Sequence, residues 1–108
     1  GLVKGERPYE YLTMLIRKRA PGSERAFASL ARRRDDARVF DFIAAYLNDP
    51  EPGIRYYAAG ALGVMDDPRA VPLLEELKND SDPEVKELAP KLVEKVKRNI
   101  EEKNKPPN

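Results

Sequence analysis

A 31-residue period constrains this chain more than any other feature. Asp49-Pro50-Glu51-Pro52-Gly53-Ile54-Arg55 recurs as Asp80-Ser81-Asp82-Pro83-Glu84-Val85-Lys86. The same shift carries Ala58 to Ala89, Leu62 to Val93, Asp36-Ala37-Arg38 to Asp67-Pro68-Arg69, and Phe42-Ile43 to Leu73-Leu74. A third, degenerate copy lies upstream, where Ala26-Phe27-Ala28-Ser29-Leu30-Ala31 matches Ala58-Ala59-Gly60-Ala61-Leu62-Gly63 class for class at an offset of 32. Three copies of this length span nearly all of the 108 residues. A fixed period in this range is the mark of stacked supersecondary units, each unable to bury its apolar face alone.

Each copy reads as two helices. Val39, Phe40, Ile43, Ala44, Tyr46 and Leu47 recur at helical spacing,. Asn48-Asp49-Pro50-Glu51-Pro52-Gly53 then breaks the chain, since a residue before Pro is pushed out of the α region,. Ile54, Ala58, Ala61, Leu62 and Met65 form the apolar stripe of the next helix, and Val85, Leu88, Ala89, Leu92, Val93, Val96 and Ile100 that of the last,. Asp67 and Asp82 are expected N-caps, Pro68 and Pro83 first-turn prolines, and Ser23 the cap of a helix in the first copy,. Pro72 falls in a first turn, whereas Pro90 sits inside the strongest helical pattern and predicts a kink or a helix restarting there,. The expected helices are 9–19, 24–33, 37–47, 52–65, 69–78 and 83–103. They make an all-α, right-handed α-solenoid of three antiparallel helix pairs, with repeats at about 9–34, 36–66 and 67–103. Residues 1–8 and 104–108 are expected to be disordered or extended.

Asp49 to Gly63, followed by Asp67-Pro68-Arg69-Ala70-Val71-Pro72-Leu73-Leu74, resembles the HEAT repeat of the short, phycobilin-lyase-like type. The resemblance covers residues 36–93 well and 9–35 loosely. It implies an α-solenoid, and a binding scaffold more than an activity. Bilin lyases and iron-dependent hydroxylases are built on such repeats, but the hydroxylases hold their metal with His and Glu, and this chain has no His. No residue matches a lyase motif.

Composition narrows the chemistry. Without Cys or His there is no disulfide, no Cys/His metal site and no Ser-His or Cys-His nucleophile,. No catalytic residue and no cofactor is expected. The pairs Asp35/Asp36, Asp66/Asp67 and Glu75/Glu76 fall at caps, turns and exposed faces, where acids favour helix N-termini,. No 18-residue apolar run exists, and the polar start Gly1-Leu2-Val3-Lys4-Gly5-Glu6-Arg7 is unlike a signal peptide; a cytoplasmic location is the expectation,. The missing initiator Met suits a processed, excised or engineered end. Scarce Cys, His and Gln with abundant Arg, Lys and Glu suits a thermostable or engineered chain,.

Two surfaces are candidates for binding. With Ile54 at the centre of the buried stripe and 100° per residue, Tyr56, Gly60 and Gly63 point outward. With Ala28 and Ala31 of the first copy, Gly60 and Gly63 would form a shallow smooth strip flanked by Tyr56 and Tyr57, within a second-helix surface centred on Arg55, Tyr56, Tyr57 and Gly60 and suited to a peptide or helix from another protein. The equivalent positions of the third copy are Glu87, Lys91 and Glu94. The second candidate is charge. Residues 1–39 hold ten bases and five acids, net +5, leaving the remainder at net −4. Arg17, Lys18 and Arg19, with Arg32, Arg33 and Arg34, could meet at inter-helix turns and touch phosphates, though cations also suit helix C-termini. The primary expectation is a protein-binding scaffold on the second helices. The alternatives are nucleic-acid backbone binding through the Arg-rich third, or an engineered module. Neither a membrane nor a small-molecule substrate is expected.

Overall fold

The computed structural model describes residues 8–106, and all regular structure among them is helical. The helices are α1 (Tyr9–Arg17), α2 (Ser23–Ala31), α3 (Ala37–Ala45), α4 (Pro52–Met65), α5 (Ala70–Glu76) and α6 (Pro83–Asn104). Short 3-10 turns, Tyr46–Asn48 and Leu77–Asn79, continue α3 and α5. The chain is an α-solenoid of three helix pairs, α1–α2, α3–α4 and α5–α6. The first helices form one layer and α2, α4 and α6 the other, each second helix packing on the next. The molecule measures 41 × 40 × 18 Å, and its short dimension is about two helix diameters,.

Local chemistry sets the ends of these helices. Pro52 and Pro83 occupy first turns, and the Asp82 carboxylate accepts the N–H groups of Glu84 and Val85 at 3.1 Å,. Asp67 accepts the N–H of Arg69 at 2.9 Å, an Asx turn just ahead of α5 instead of a cap on its first residue,. Ser23 does not cap α2: Gly22, at φ 94°, takes that place and Ser23 is the first helical residue. α1 ends two residues earlier than expected because Arg19 turns left-handed, φ 52°. Ala20 N–H then reaches Leu15 O at 2.9 Å and Arg19 N–H reaches Ile16 O at 3.1 Å, a Schellman motif,. Pro90 neither breaks α6 nor restarts it. The helix runs unbroken from Pro83 to Asn104, with the ring exposed. The expectation of disorder over 1–8 and 104–108 falls largely outside the described residues, and within them α6 includes Asn104.

The core is one cluster running through all three pairs, from Leu12 and Ile16 through Phe27, Leu30, Val39, Ile43, Leu62 and Leu74 to Val85, Val93 and Val96. The expected α4 stripe is all buried.

Three sets of polar connectors bind each repeat to its neighbour. Along one edge the Arg19 guanidinium pairs with Asp49 at 2.6 and 3.1 Å, and that of Arg55 pairs with Asp80 at 2.8 and 3.0 Å. Arg55 also donates to the carbonyl of Asp49 at 2.9 Å, linking the two pairs into a chain. Asp49 and Asp80, repeat equivalents, each also accept a backbone N–H two residues on. On the outer layer Asp36-Ala37-Arg38 lays its guanidinium over Tyr9, 3.8 Å from the ring centre, and Asp67-Pro68-Arg69 repeats this over Phe40 at 4.1 Å,. At the opposite edge Asp66, itself left-handed at φ 55°, approaches Arg34 at 4.0 Å and accepts from Asn99 at 3.0 Å.

Candidate functional site

Parallel second helices leave a trough between α2 and α4. Glu24, Phe27 and Ala28 of α2 face Tyr56, Tyr57, Gly60, Ala61 and Val64 of α4 across an open hollow of about 190 Å³ with an almost wholly apolar lining. Tyr56, Tyr57 and Val64 are 37%, 45% and 41% exposed, three of the four large apolar residues that the described surface leaves open. The Tyr56 and Tyr57 rings meet edge to face with centroids 5.9 Å apart, so each holds the other upright from the helix,. Two further hollows flank Tyr56 on the α6 side, one against Glu84, Glu87, Leu88 and Lys91, the other against Pro52, Gly53, Asp82 and Glu84.

Tyr56, Tyr57 and Gly60 therefore share one face, as their spacing predicts. Gly60 forms part of the trough, and a Cβ added there meets nothing within 4 Å. Gly60→Ala should stabilise the chain by about 0.5–1 kcal/mol through helix propensity and a less flexible unfolded chain. Urea denaturation reads this directly, and an unchanged or lower midpoint would contradict the open geometry.

Gly63 and Arg55 do not join that face. Gly63 is buried because α4 is the middle helix of its layer, and contacts on both flanks bury an arc wider than one stripe; Ala31, the last residue of α2, is buried too. A Cβ on Gly63 would stand 2.7 Å from Leu92 Cδ2, and the Gly63 carbonyl accepts from Lys95 Nζ at 3.0 Å. Gly63 thus admits α6 at close range and contributes nothing to the open strip. The Arg55 side chain is 14% exposed and committed to Asp80 and Asp49. Val64 is the residue that the spacing argument passed over. Its signal was an apolar residue off the Ile54 stripe, one helical turn beyond Gly60 on the same side as Tyr57.

The two basic triplets do not meet. Antiparallel α1 and α2 place Arg17-Lys18-Arg19 at one edge of the stack and Arg32-Arg33-Arg34 at the other. Arg19 is tied to Asp49 and, at 3.5 Å, to Glu51; Arg34 lies 4.0 Å from Asp66. Arg17 bonds Thr13 Oγ1 at 3.4 Å and lies 5.3 Å from the centre of the Phe42 ring. Lys18 and Arg32 are exposed, Arg33 half-buried, with no ion pair at any of the three among the described residues. No continuous basic track results.

In each adjacent pair one carboxylate is held by a cation. Arg38, 2.6 Å from Asp36, lowers that carboxyl to about 2. Arg69 lowers Asp67, and Lys78 with Lys97 lowers Glu75. Among the described residues no group of acids converges as a metal site would require, and no helix is long and apolar enough to cross a membrane.

Among known proteins, the family model for HEAT repeats matches residues 6–92 of the chain. No curated protein and no solved structure matches it.

Proposed function

Because the chain belongs to the HEAT-repeat family, we propose that it is a non-catalytic scaffold docking another protein or peptide on its second-helix face. Within the family, the 31-residue period and the repeated Asp-Pro turns favour the short, phycobilin-lyase-like form of the repeat. The observation carrying the docking reading is the grouping of Tyr56, Tyr57 and Val64, each more than a third exposed, around one apolar trough. A small domain leaves large apolar side chains open singly without consequence, but three around one hollow leave area that only association would cover. Aromatic residues at such positions dominate binding energies in alanine scans. The rigid stack fixes the trough before a partner arrives, so little ordering entropy is lost on docking.

Pull-downs with the parent chain and with a Tyr57→Ala, Val64→Gln variant test this reading. Both sites are exposed, so the variant should melt within a few degrees of the parent. A partner retained by the parent should fall by about tenfold or more on the variant, corresponding to about 1.4 kcal/mol. Equal retention of every partner would move docking off this face.

A further inference from the structure

The trough's charge surroundings say more about its occupant than its shape does. Glu24, Glu84 and Glu87 stand exposed around Tyr56, against a single base, Lys91, which itself pairs with Glu87 at 3.4 Å. A fourth acid, Asp82, is occupied in capping α6. First-turn acids suit helix N-termini, which accounts for Glu24 and Glu84 individually,. It does not account for Glu87, in the second turn of α6, nor for all three surrounding one aromatic pair.

The aromatic faces supply a second, independent sign. Elsewhere in this molecule guanidinium groups cover aromatic rings, Arg38 over Tyr9 and Arg69 over Phe40. Among the described residues no cation covers Tyr56 or Tyr57, although carboxylates that would hold one in place are adjacent. An exposed tyrosine face beside carboxylates attracts Arg or Lys through both the ring quadrupole and Coulomb attraction. At the Val64 end the wall is apolar.

We propose that this face binds a cationic peptide segment, its Arg or Lys side chains against Tyr56, Tyr57 and the three glutamates, and one large apolar side chain anchored beside Val64. The proposal rests on the docking reading above. The occupant is a segment of another protein with net positive charge, and its attraction should weaken as salt rises.

Panning a random 12-residue peptide library against the full chain tests this. The most enriched sequences are then synthesised and their affinities measured by fluorescence anisotropy. Enriched peptides should carry net positive charge and at least one Leu, Ile, Met, Phe or Trp. Glu84→Lys with Glu87→Lys should weaken them by about tenfold or more, and Val64→Gln by a few-fold. Circular dichroism melts confirm that each variant folds, and Glu84→Gln with Glu87→Gln, which adds no positive charge to the helix start, should weaken binding less but in the same direction. Enrichment of neutral or acidic peptides that Val64→Gln still weakens would overturn the cationic occupant and leave docking intact. Failure to find any peptide sensitive to Val64→Gln or Tyr57→Ala would overturn both.

Discussion

Phe27→Ala should lower the stability of the chain by about 3–5 kcal/mol, the range for emptying a buried aromatic site. Phe27 is 1% exposed and sits in the core where α2, α3 and α4 meet, its ring edge-on to Tyr46 with centroids 5.7 Å apart. Tyr46 in turn stacks at a tilt on Phe42, 5.2 Å away, and Phe42 meets Tyr9 edge to face. Removing Phe27 therefore strands one end of an aromatic chain joining the first two repeats. Collapse into the space is limited because Leu30, Val39, Ile43 and Leu62 nearby in the core are all fully buried,. Domains of this size have only about 5–15 kcal/mol of total stability, so the loss is a large share of it. Thermal melting should fall by about 15 °C or more. A fall under a few degrees would mean that Phe27 is not the packing centre between the first two repeats. Because Phe27 also lines the trough, binding to this variant is interpretable only at temperatures where it remains folded.

Asp80→Ala should cost about 2–3 kcal/mol, through a different route. The substitution removes both hydrogen bonds to the Arg55 guanidinium, leaves that group mostly buried without its carboxylate, and frees the Asp82 N–H,. If the cost arises from the pair, Arg55→Met combined with Asp80→Ala should be less damaging than the two separate losses summed, by about 1 kcal/mol in a double-mutant cycle. Strict additivity would show that the two side chains contribute independently. The same pair makes an acid prediction. Hydrogen bonds from Arg55 hold the Asp80 carboxyl below its ordinary value, and those from Arg19 do so for Asp49. A carboxylate lowered in the folded state adds stability that is complete above its unfolded value near 3.8 and is lost as pH falls through the folded one,. Asp36 behaves likewise, down to about 2. Urea midpoints should accordingly be flat from neutral pH to about 5 and then drop steeply between about 4 and 2. Asp80→Ala should flatten part of that drop; an unchanged acid slope would assign the acid sensitivity to other carboxylates.

The repeat was legible because its carriers are local: Pro52 and Pro83 fix helix starts, Asp82 caps one, and the α4 stripe from Ile54 to Met65 is buried as its periodicity predicts. What stayed hidden depends on neighbours 25 to 33 residues away. Helical periodicity marks one buried face per helix, which suits α1 at the end of the stack. It fails for α4, flanked on both sides, and so Gly63 lies inside. Arg55 and Arg19 read as surface cations because nothing adjacent in sequence marks Asp80 or Asp49 as their partners. Tyr56, Tyr57 and Gly60 lie on the side of α4 that no neighbouring helix covers. Arg19 adds a further lesson, since a left-handed C-terminal position normally favours Gly. Here its side chain is anchored to Asp49,.

The connectors also make the middle pair a tile. Residues 36–66 present an Asp-Ala-Arg hook and the Asp49 carboxylate to the preceding repeat, and Phe40, Arg55 and Asp66 to the following one. The Arg–Asp and Arg–aromatic connectors are each present on it in both complementary halves, whereas Asp66 finds its partners, Arg34 and Asn99, only in the two end pairs. Lys86, where the next Arg55 would fall, is exposed and makes no ion pair among the described residues. A second copy of 36–66 spliced after the first would find the Arg–Asp and Arg–aromatic counterparts already in place on each side. The length of such a rod is then set by how many tiles the gene encodes.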